Sequence, residues 1–336
     1  MQRHAGLSPV SGVYGRRRTR KEAGRMTSRV ACLFPAFAMR QRDFRRDRLD
    51  GYREVLDPLV ERAARLVVLH PQKFAAPADV VLPDELEDDL QAQYACYIDN
   101  CAAADLWRRR FPRCDFVSGY SMGVFAALYR CGALTFEDGL QLMHAVCTFA
   151  HEAVGDAHYG MGAVMGLTVD EVRRELAAHC PRVEISDICG LRVVICSGER
   201  ADVEAALEVC ERAGALNVRL IPVKLPFHAS WLTGVESRTA ELIGRLPVRP
   251  PQCGLVSSIT QEVLTTAEDV RREVARNVAH PMNWYATMRK LLDLGVETFL
   301  ECGLSDSLTN LAQRNVKGKY KIYNVGQIAR LLASVA

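Results

Sequence analysis

The residue of this chain best placed for covalent chemistry is a serine framed by glycines, Gly119-Tyr120-Ser121-Met122-Gly123. Asp115 to Ser118 reads as a short buried strand ahead of it, and Val124 to Tyr129, with Ala133, as a packed helix behind it. Strand, sharp turn and helix is the setting in which a Gly-x-Ser-x-Gly pattern exposes a nucleophile. The glycines let the chain turn tightly and let helix approach strand. The hydroxyl then stands at a helix N-terminus, where unpaired N–H groups and the dipole favour a negative oxygen. The competing reading of the same five residues is a tight turn that only packs well. A nucleophilic serine needs a base. His144, His151, His158 and His179 fall in or beside helical patterns with polar neighbours and read as ordinary. His228 follows Pro226-Phe227 at a hinge position beside a cleft, and spacing alone leaves it open as base or bystander.

The elements that must position these groups alternate between strand and helix. Val30 to Phe34 is a short apolar strand, and Pro35-Ala36-Phe37-Ala38 then leads to an Arg-rich helix, Arg40 to Leu49. In an α/β chain such an early turn ends a central strand and faces the active edge of the sheet. Helices are predicted over Tyr52–Val67 and, after a loop from Pro71 to Pro83, over Leu86–Arg110. The second repeats apolar residues at three- and four-residue spacing and carries Gln93 on one edge. After the serine, Thr135-Phe136-Glu137-Asp138 reads as a cap and Gly139–Val154 as a helix. The texture then changes. Met161 to Leu167, Leu191 to Cys196 and Asn217 to Pro222 read as strands separated by helices Val169–His179 and Ala201–Ala213, with a further strand near Val183–Ile185. That order fits a small ferredoxin-like subdomain. Beyond His228, strand Gly254–Ile259, helices Ala267–Asn277 and Pro281–Leu294, and strand Thr298–Cys302 return to α/β texture. The predicted fold class is α/β: a large α/β-hydrolase-like domain with a parallel sheet, residues 28–158 and 227–336, interrupted by a ferredoxin-like subdomain, 159–226.

The chain has 336 residues, 49% hydrophobic and 25% charged, ordinary values for a globular protein. No apolar run approaches the roughly 20 residues of a membrane helix, and no secretory signal is apparent, so a cytoplasmic location is expected. The twelve cysteines are scattered without a Cys-x-x-Cys pair and read as reduced, mostly buried thiols; metal binding is not expected. The formal charge of +3 hides an asymmetry, because residues 1–29 hold eight basic residues and the single acidic Glu22. Residues 1–27 therefore read as a basic, disordered extension, with Met26 as an alternative start. Nothing reads as a phosphate-binding glycine loop or a nucleic-acid module.

Five pieces in order carry a resemblance: the Ser121 elbow, Gly162-Ala163-Val164-Met165-Gly166-Leu167, Leu225-Pro226-Phe227-His228, Asn277-x-x-His280-Pro281-x-Asn283-Trp284, and Glu301-Cys302-Gly303. From about Val30 to the C-terminus the chain resembles the malonyl-CoA:acyl-carrier-protein transacylase family of fatty-acid and polyketide biosynthesis. The resemblance implies an acyltransferase with a Ser121–His228 dyad that takes an acyl group from a thioester and passes it to the phosphopantetheine thiol of an acyl carrier protein. It implies that the Asn277 carbonyl orients His228 and that the backbone N–H groups of Met122 and Phe37 form the oxyanion hole. It places Gln93, Val146 and Phe227 in the substrate pocket. It implies no bound cofactor, with acyl-CoA and the carrier protein as substrates, and no nucleic-acid or membrane partner.

Two departures from the family bear on the substrate. Its Phe-Pro-Gly-Gln-Gly is here Phe34-Pro35-Ala36-Phe37-Ala38, so bulk replaces a glutamine and two glycines are lost, although a main-chain donor survives. The arginine that grips the malonyl carboxylate in the family falls at Val146, in His144-Ala145-Val146-Cys147. A buried carboxylate without its cation is costly, so the expected acyl group is non-carboxylated. Arg40, Arg42, Arg45, Arg46 and Arg48, or Arg108, Arg109, Arg110 and Arg113, are candidates for a rim that attracts an acidic carrier protein. The alternatives are a hydrolase clearing acyl groups from carrier proteins with the same dyad, an inactive docking or scaffold protein, and an unrelated α/β-hydrolase. The last would need an acid between serine and histidine, where the small subdomain lies.

Overall fold

The computed structural model describes residues 29–36, 49–70, 86–221 and 223–328. The N-terminal extension, Phe37, the Arg40–Leu49 helix up to Arg48, the 71–83 loop and Pro222 lie outside the described residues.

Arg29–Phe34 (β1) is buried from Val30 onward, as a central parallel strand covered on both faces must be. Tyr52–Ala63 (α1) follows. It ends four residues before the predicted Val67, because Arg65 and Leu66 donate to carbonyls only three residues back and tighten the chain out of the helix. Leu86–Arg110 (α2) has the predicted bounds and finishes on three arginines that suit the negative end of its dipole. Phe116–Gly119 (β2), a single turn at Ser121–Gly123 and Val124–Arg130 (α3) form the elbow. Phe136–Val154 (α4) starts three residues before the predicted Gly139, because Thr135 accepts from the Asp138 N–H and fixes the first turn there.

Tyr159–Met165 (β3), Val169–His179 (α5), Glu184–Gly190 (β4), Val193–Glu199 (β5), Arg200–Arg212 (α6) and Asn217–Ile221 (β6) make the small unit. Its antiparallel sheet runs β4-β5-β3-β6, the ferredoxin-like order. The predicted strand at Leu191–Cys196 is β5, starting two residues later because Leu191-Arg192 is the turn of a hairpin, and the further strand expected near Val183–Ile185 is β4. Thr233–Gly244 (α7), Gly254–Val256 (β7), Val263–Leu264 (β8), Ala267–Arg276 (α8), Trp284–Asp293 (α9), Val296–Glu301 (β9), Ser307–Asn315 (α10) and Lys321–Tyr323 (β10) complete the large unit. β7 is shorter than predicted because Ser257 Oγ accepts from Ile259 and Thr260 N–H and turns the chain. α9 starts at Trp284 and not Pro281, because Met282 is drawn into a bridge with β4 before Asn283 caps the helix.

The large sheet has the order β10-β9-β1-β2-β7-β8, parallel throughout except for the β8 hairpin. The α/β class, with a parallel-rich sheet and a separate antiparallel one, is therefore as predicted. One face of the large sheet, through Val30, Cys32, Phe34 and Leu300, packs on α1 to α4. The other, through Ala31, Leu33 and Phe299, packs on Trp284 and Met288 of α9 and on Leu308 of α10. At roughly 1.5–3 kcal/mol for each fully buried large side chain, these two layers hold the strand ends on which the site is built. All twelve cysteines are unpaired, nine of them buried.

Candidate active site

β1 and β2 run side by side, with Phe34 opposite Gly119, so both end at the same edge of the sheet. The elbow turns there. A Cβ at Gly119 would lie 2.2 Å from the Val124 nitrogen, and one at Gly123 would lie 2.1 Å from the Phe34 carbonyl oxygen. Neither position tolerates a side chain, which is the physical content of the Gly-x-Ser-x-Gly spacing. Tyr120 N–H donates to the Phe34 carbonyl (2.8 Å) and ties the turn to β1. Ser121 sits in the left-handed region with φ of +52°, at a cost of about 1–3 kcal/mol that the surrounding contacts must hold.

His228 arrives from the other side, at the end of the small unit. Its backbone is also left-handed (φ +61°), and its N–H donates to the Val278 carbonyl at 2.7 Å. The imidazole is 2% exposed. Nδ1 lies 2.7 Å from the Asn277 carbonyl oxygen and Nε2 lies 2.8 Å from Ser121 Oγ. A carbonyl only accepts, so Nδ1 carries the proton, Nε2 presents its lone pair, and Ser121 donates to it. Burial holds the imidazole at about 4, below its usual 6.5, against the upward pull of its bonds to Asn277 and His280. It is neutral at physiological pH and able to accept a proton. The Asn277 side chain is fully buried; its Nδ2 donates to the Ser121 carbonyl at 3.4 Å, and its Oδ1 has no partner.

The other residues singled out from the sequence distribute unevenly. Met122 is buried within the turn after Ser121, and Phe37 lies outside the described residues. Phe227 is buried, with its ring 6.3 Å from the His228 ring, and its carbonyl accepts from Ser197 Oγ at 2.9 Å. Val146 is fully buried on α4, and α4 packs against the turn Ser230–Leu232 that follows His228. No arginine or lysine is buried among the described residues. Gln93 is buried on α2, and neither polar atom of its amide has a partner. Beside it α2 and α4 are cross-linked, Tyr94 Oη to His144 Nδ1 at 2.6 Å and His151 Nε2 to Asp89 Oδ2 at 3.0 Å. These two histidines read as ordinary from the sequence, and each has a structural partner.

The arginines of one candidate rim are displaced from the site. Arg109 pairs with Glu54, Arg110 with Asp50 and Arg113 with Asp115. Arg113 precedes β2, whereas Ser121 follows it, so this cluster lies at the opposite edge of the sheet. The other candidate rim, Arg40 to Arg48, lies outside the described residues. Among the described residues, no group of three or more His, Cys, Asp or Glu is arranged to hold a metal ion.

Sequence reasoning missed Asp187. It lies on β4, is 1% exposed, and accepts from Tyr120 Oη at 2.7 Å. The only signal in the sequence is an acid inside an otherwise apolar stretch, Ile185-Ser186-Asp187-Ile188, beside the strand expected near Val183–Ile185.

Three comparisons with known proteins bear on this arrangement. The family model described as the acyl transferase domain matches residues 61–330. The malonyl CoA-acyl carrier protein transacylase of Bacillus subtilis is 24% identical over 235 residues, covering 69% of this chain and 74% of the relative. The crystal structure of an acyl-carrier-protein S-malonyltransferase from Burkholderia pseudomallei superposes with a TM-score of 0.81 at 23% identity, over 91% of this chain and 99% of that one. A malonyl-transacylase solved in complex with its type II polyketide synthase acyl carrier protein gives 0.79 at 21% identity, over 91% and 100%.

Proposed function

The chain belongs to the acyl transferase domain family, and from that premise we propose that it carries a non-carboxylated acyl group from a CoA or carrier-protein thioester to an acyl carrier protein, by way of an acyl-serine on Ser121. The observation that supports this most directly is the continuous line from Ser121 Oγ through His228 to the Asn277 carbonyl.

In this reading His228 Nε2 takes the Ser121 proton as Oγ attacks the thioester carbon. The oxygen of the tetrahedral adduct faces the Met122 N–H at the start of the helical turn, with the Phe37 N–H as second donor by resemblance to the family. Collapse expels the thiol, which takes the proton back from the imidazolium. The pantetheine thiol of the carrier protein then repeats the sequence in reverse. The Asn277 carbonyl fixes the tautomer but carries no charge, so it orients the ring without stabilising the imidazolium as a carboxylate would. The neutral imidazole keeps its Nε2 lone pair available at pH 7.

Fully buried Val146, with no buried cation among the described residues, supports a neutral acyl group. A malonyl carboxylate taken into such a pocket would lose its hydration for several kcal/mol without a partner. We place the reaction in the cytoplasm. Among the described residues, no helix is long and apolar enough to cross a membrane.

Intact-protein mass spectrometry after mixing the enzyme with a panel of acyl-CoAs and malonyl-CoA, followed by a pantetheinylated carrier protein, tests the proposal. The expected result is an adduct from a simple acyl donor that moves to the carrier and is absent in Ser121→Ala. An adduct in Ser121→Ala would overturn the serine as nucleophile. Free acid accumulating in place of acyl-carrier would overturn the transferase, and a malonyl adduct of equal yield would overturn the neutral pocket.

A further inference from the structure

We propose that Asp187 is a positioning residue that holds both halves of the Ser121–His228 pair in register from a strand of the small subdomain. The inference rests on the dyad reading above. Its carboxylate joins three pieces of chain. Oδ2 accepts from Tyr120 Oη at 2.7 Å and from Cys189 Sγ at 2.9 Å, and Oδ1 accepts from Trp284 N–H at 3.2 Å. Tyr120 is one peptide bond from Ser121. Trp284 opens α9, at the end of the segment that begins with Asn277 and Val278, the two carbonyls holding His228. β4 grips that segment on either side of Asp187 as well, since Met282 N–H donates to Ser186 and Ile188 N–H donates to Met282, at 2.9 and 3.2 Å. The Tyr120 ring stands edge-on to the Trp284 indole, with centroids 5.3 Å apart. One buried group therefore meets the nucleophile's turn and the histidine's cradle together.

The chemistry of the contact argues for a role beyond packing. The hydrogen-bond partners of the Asp187 side chain are a phenol, a thiol and an amide, with no cation among them. A buried carboxylate is costly to keep, and an apolar residue of similar volume is often at least as stable. What the carboxylate supplies is stronger and more directional acceptance than a neutral group gives. That matters here because Ser121 and His228 both hold left-handed backbone that relaxes unless neighbouring structure over-determines it. Burial also pushes the Asp187 carboxyl above the usual carboxylate range, with the Cys189, Tyr120 and Trp284 bonds pulling it back. A triad acid would have to come from between Ser121 and His228, where the small subdomain lies. Asp187 lies there, and it acts on the dyad's backbone while the imidazole keeps its carbonyl partner.

The test is the pre-steady-state burst of the full chain with p-nitrophenyl acetate as acylating probe, on Asp187→Asn, Tyr120→Phe and the double variant. Melting curves confirm that each is folded. The acylation rate constant is expected to fall about 10- to 100-fold in each single variant, as small misplacements of reacting groups do. The probe concentration at half-maximal rate should stay within about twofold, and the double variant should be no slower than the slower single one. Tyr120→Phe keeps the ring and loses only the hydroxyl, so it decides the question alone where Asp187→Asn does not fold. A wild-type acylation rate in folded Tyr120→Phe overturns the proposal, as does a loss confined to probe affinity, or losses that multiply in the double variant. Ser121→Ala in the same assay tests the dyad separately. A burst lost there but intact in both variants refutes the role of Asp187 and leaves the dyad standing, whereas a burst surviving Ser121→Ala refutes both.

Discussion

Acidification should cost this protein stability through His228, and the amount follows from the site. The imidazole is 2% exposed and burial holds it at about 4, against 6.5 in an unfolded chain. Between those values the unfolded state binds a proton that the folded state refuses, so stability falls as pH drops from 6.5 towards 4 and levels off below. At about 1.4 kcal/mol for each pH unit, the full effect is about 3 kcal/mol, and about 2.5 kcal/mol of it is lost by pH 4.5. Buried Asp187, Glu273 and Glu301 act in the opposite sense, because burial raises their carboxyls and the folded state holds their protons longer. They are common to wild type and His228→Gln, so the difference between the two isolates the histidine. Urea unfolding of both proteins at pH 7 and pH 4.5 should show wild type losing about 2.5 kcal/mol more than the variant. The acylation rate of the wild-type enzyme should be flat above about pH 6 and fall with a single ionisation near 4. Parallel acid losses in the two proteins, or a rate midpoint near 6.5, would refute the description of His228 as a buried neutral base.

Two further substitutions probe the pocket and its support. Val146→Arg should raise the yield of malonyl-enzyme from malonyl-CoA at least about tenfold, because a guanidinium at this buried position supplies a bidentate partner for the carboxylate; a folded variant with no gain would show that Val146 does not face the acyl group. Glu301→Ala should destabilise the large unit by at least about 3 kcal/mol in urea. Its carboxylate accepts from the Leu308 and Thr309 N–H groups, from Thr309 Oγ1 and from Ser305 Oγ, and thereby caps α10. A loss below about 1 kcal/mol would mean that water replaces it.

The parts of this protein that the sequence made legible are those encoded in short, contiguous patterns. Gly119 and Gly123 announce the elbow because no other residue fits their contacts with Val124 and Phe34. The 25-residue α2 is visible because its three- and four-residue apolar periodicity is local, and α5 and α8 are likewise continuous segments. The two-unit α/β architecture follows from the order of such segments, and the resemblance to the transacylase family from five motifs in sequence. The late start of α9 and the full length of β4 were not legible, since a long-range bridge decides the first, Met282 being taken by β4, and a buried acid interrupts the apolar pattern of the second; the early stop of α1 rests on a tightened last turn that periodicity does not show.

Residue types along the chain determined which groups are available: a serine that only a sharp turn tolerates, a histidine after Pro226-Phe227, and a valine where the family has a cation. Tertiary structure alone decided their state. A separation of 107 positions between Ser121 and His228 closes to a 2.8 Å contact because the end of β2 in the large sheet and the chain leaving β6 of the small sheet meet. Burial from several elements at once makes the imidazole neutral, and Asp187 reaches Tyr120 only because the small sheet docks beside the elbow. Spacing along a chain carries no information about such contacts, since loop closure costs little more for a hundred residues than for fifty; the packing of the two units supplies it.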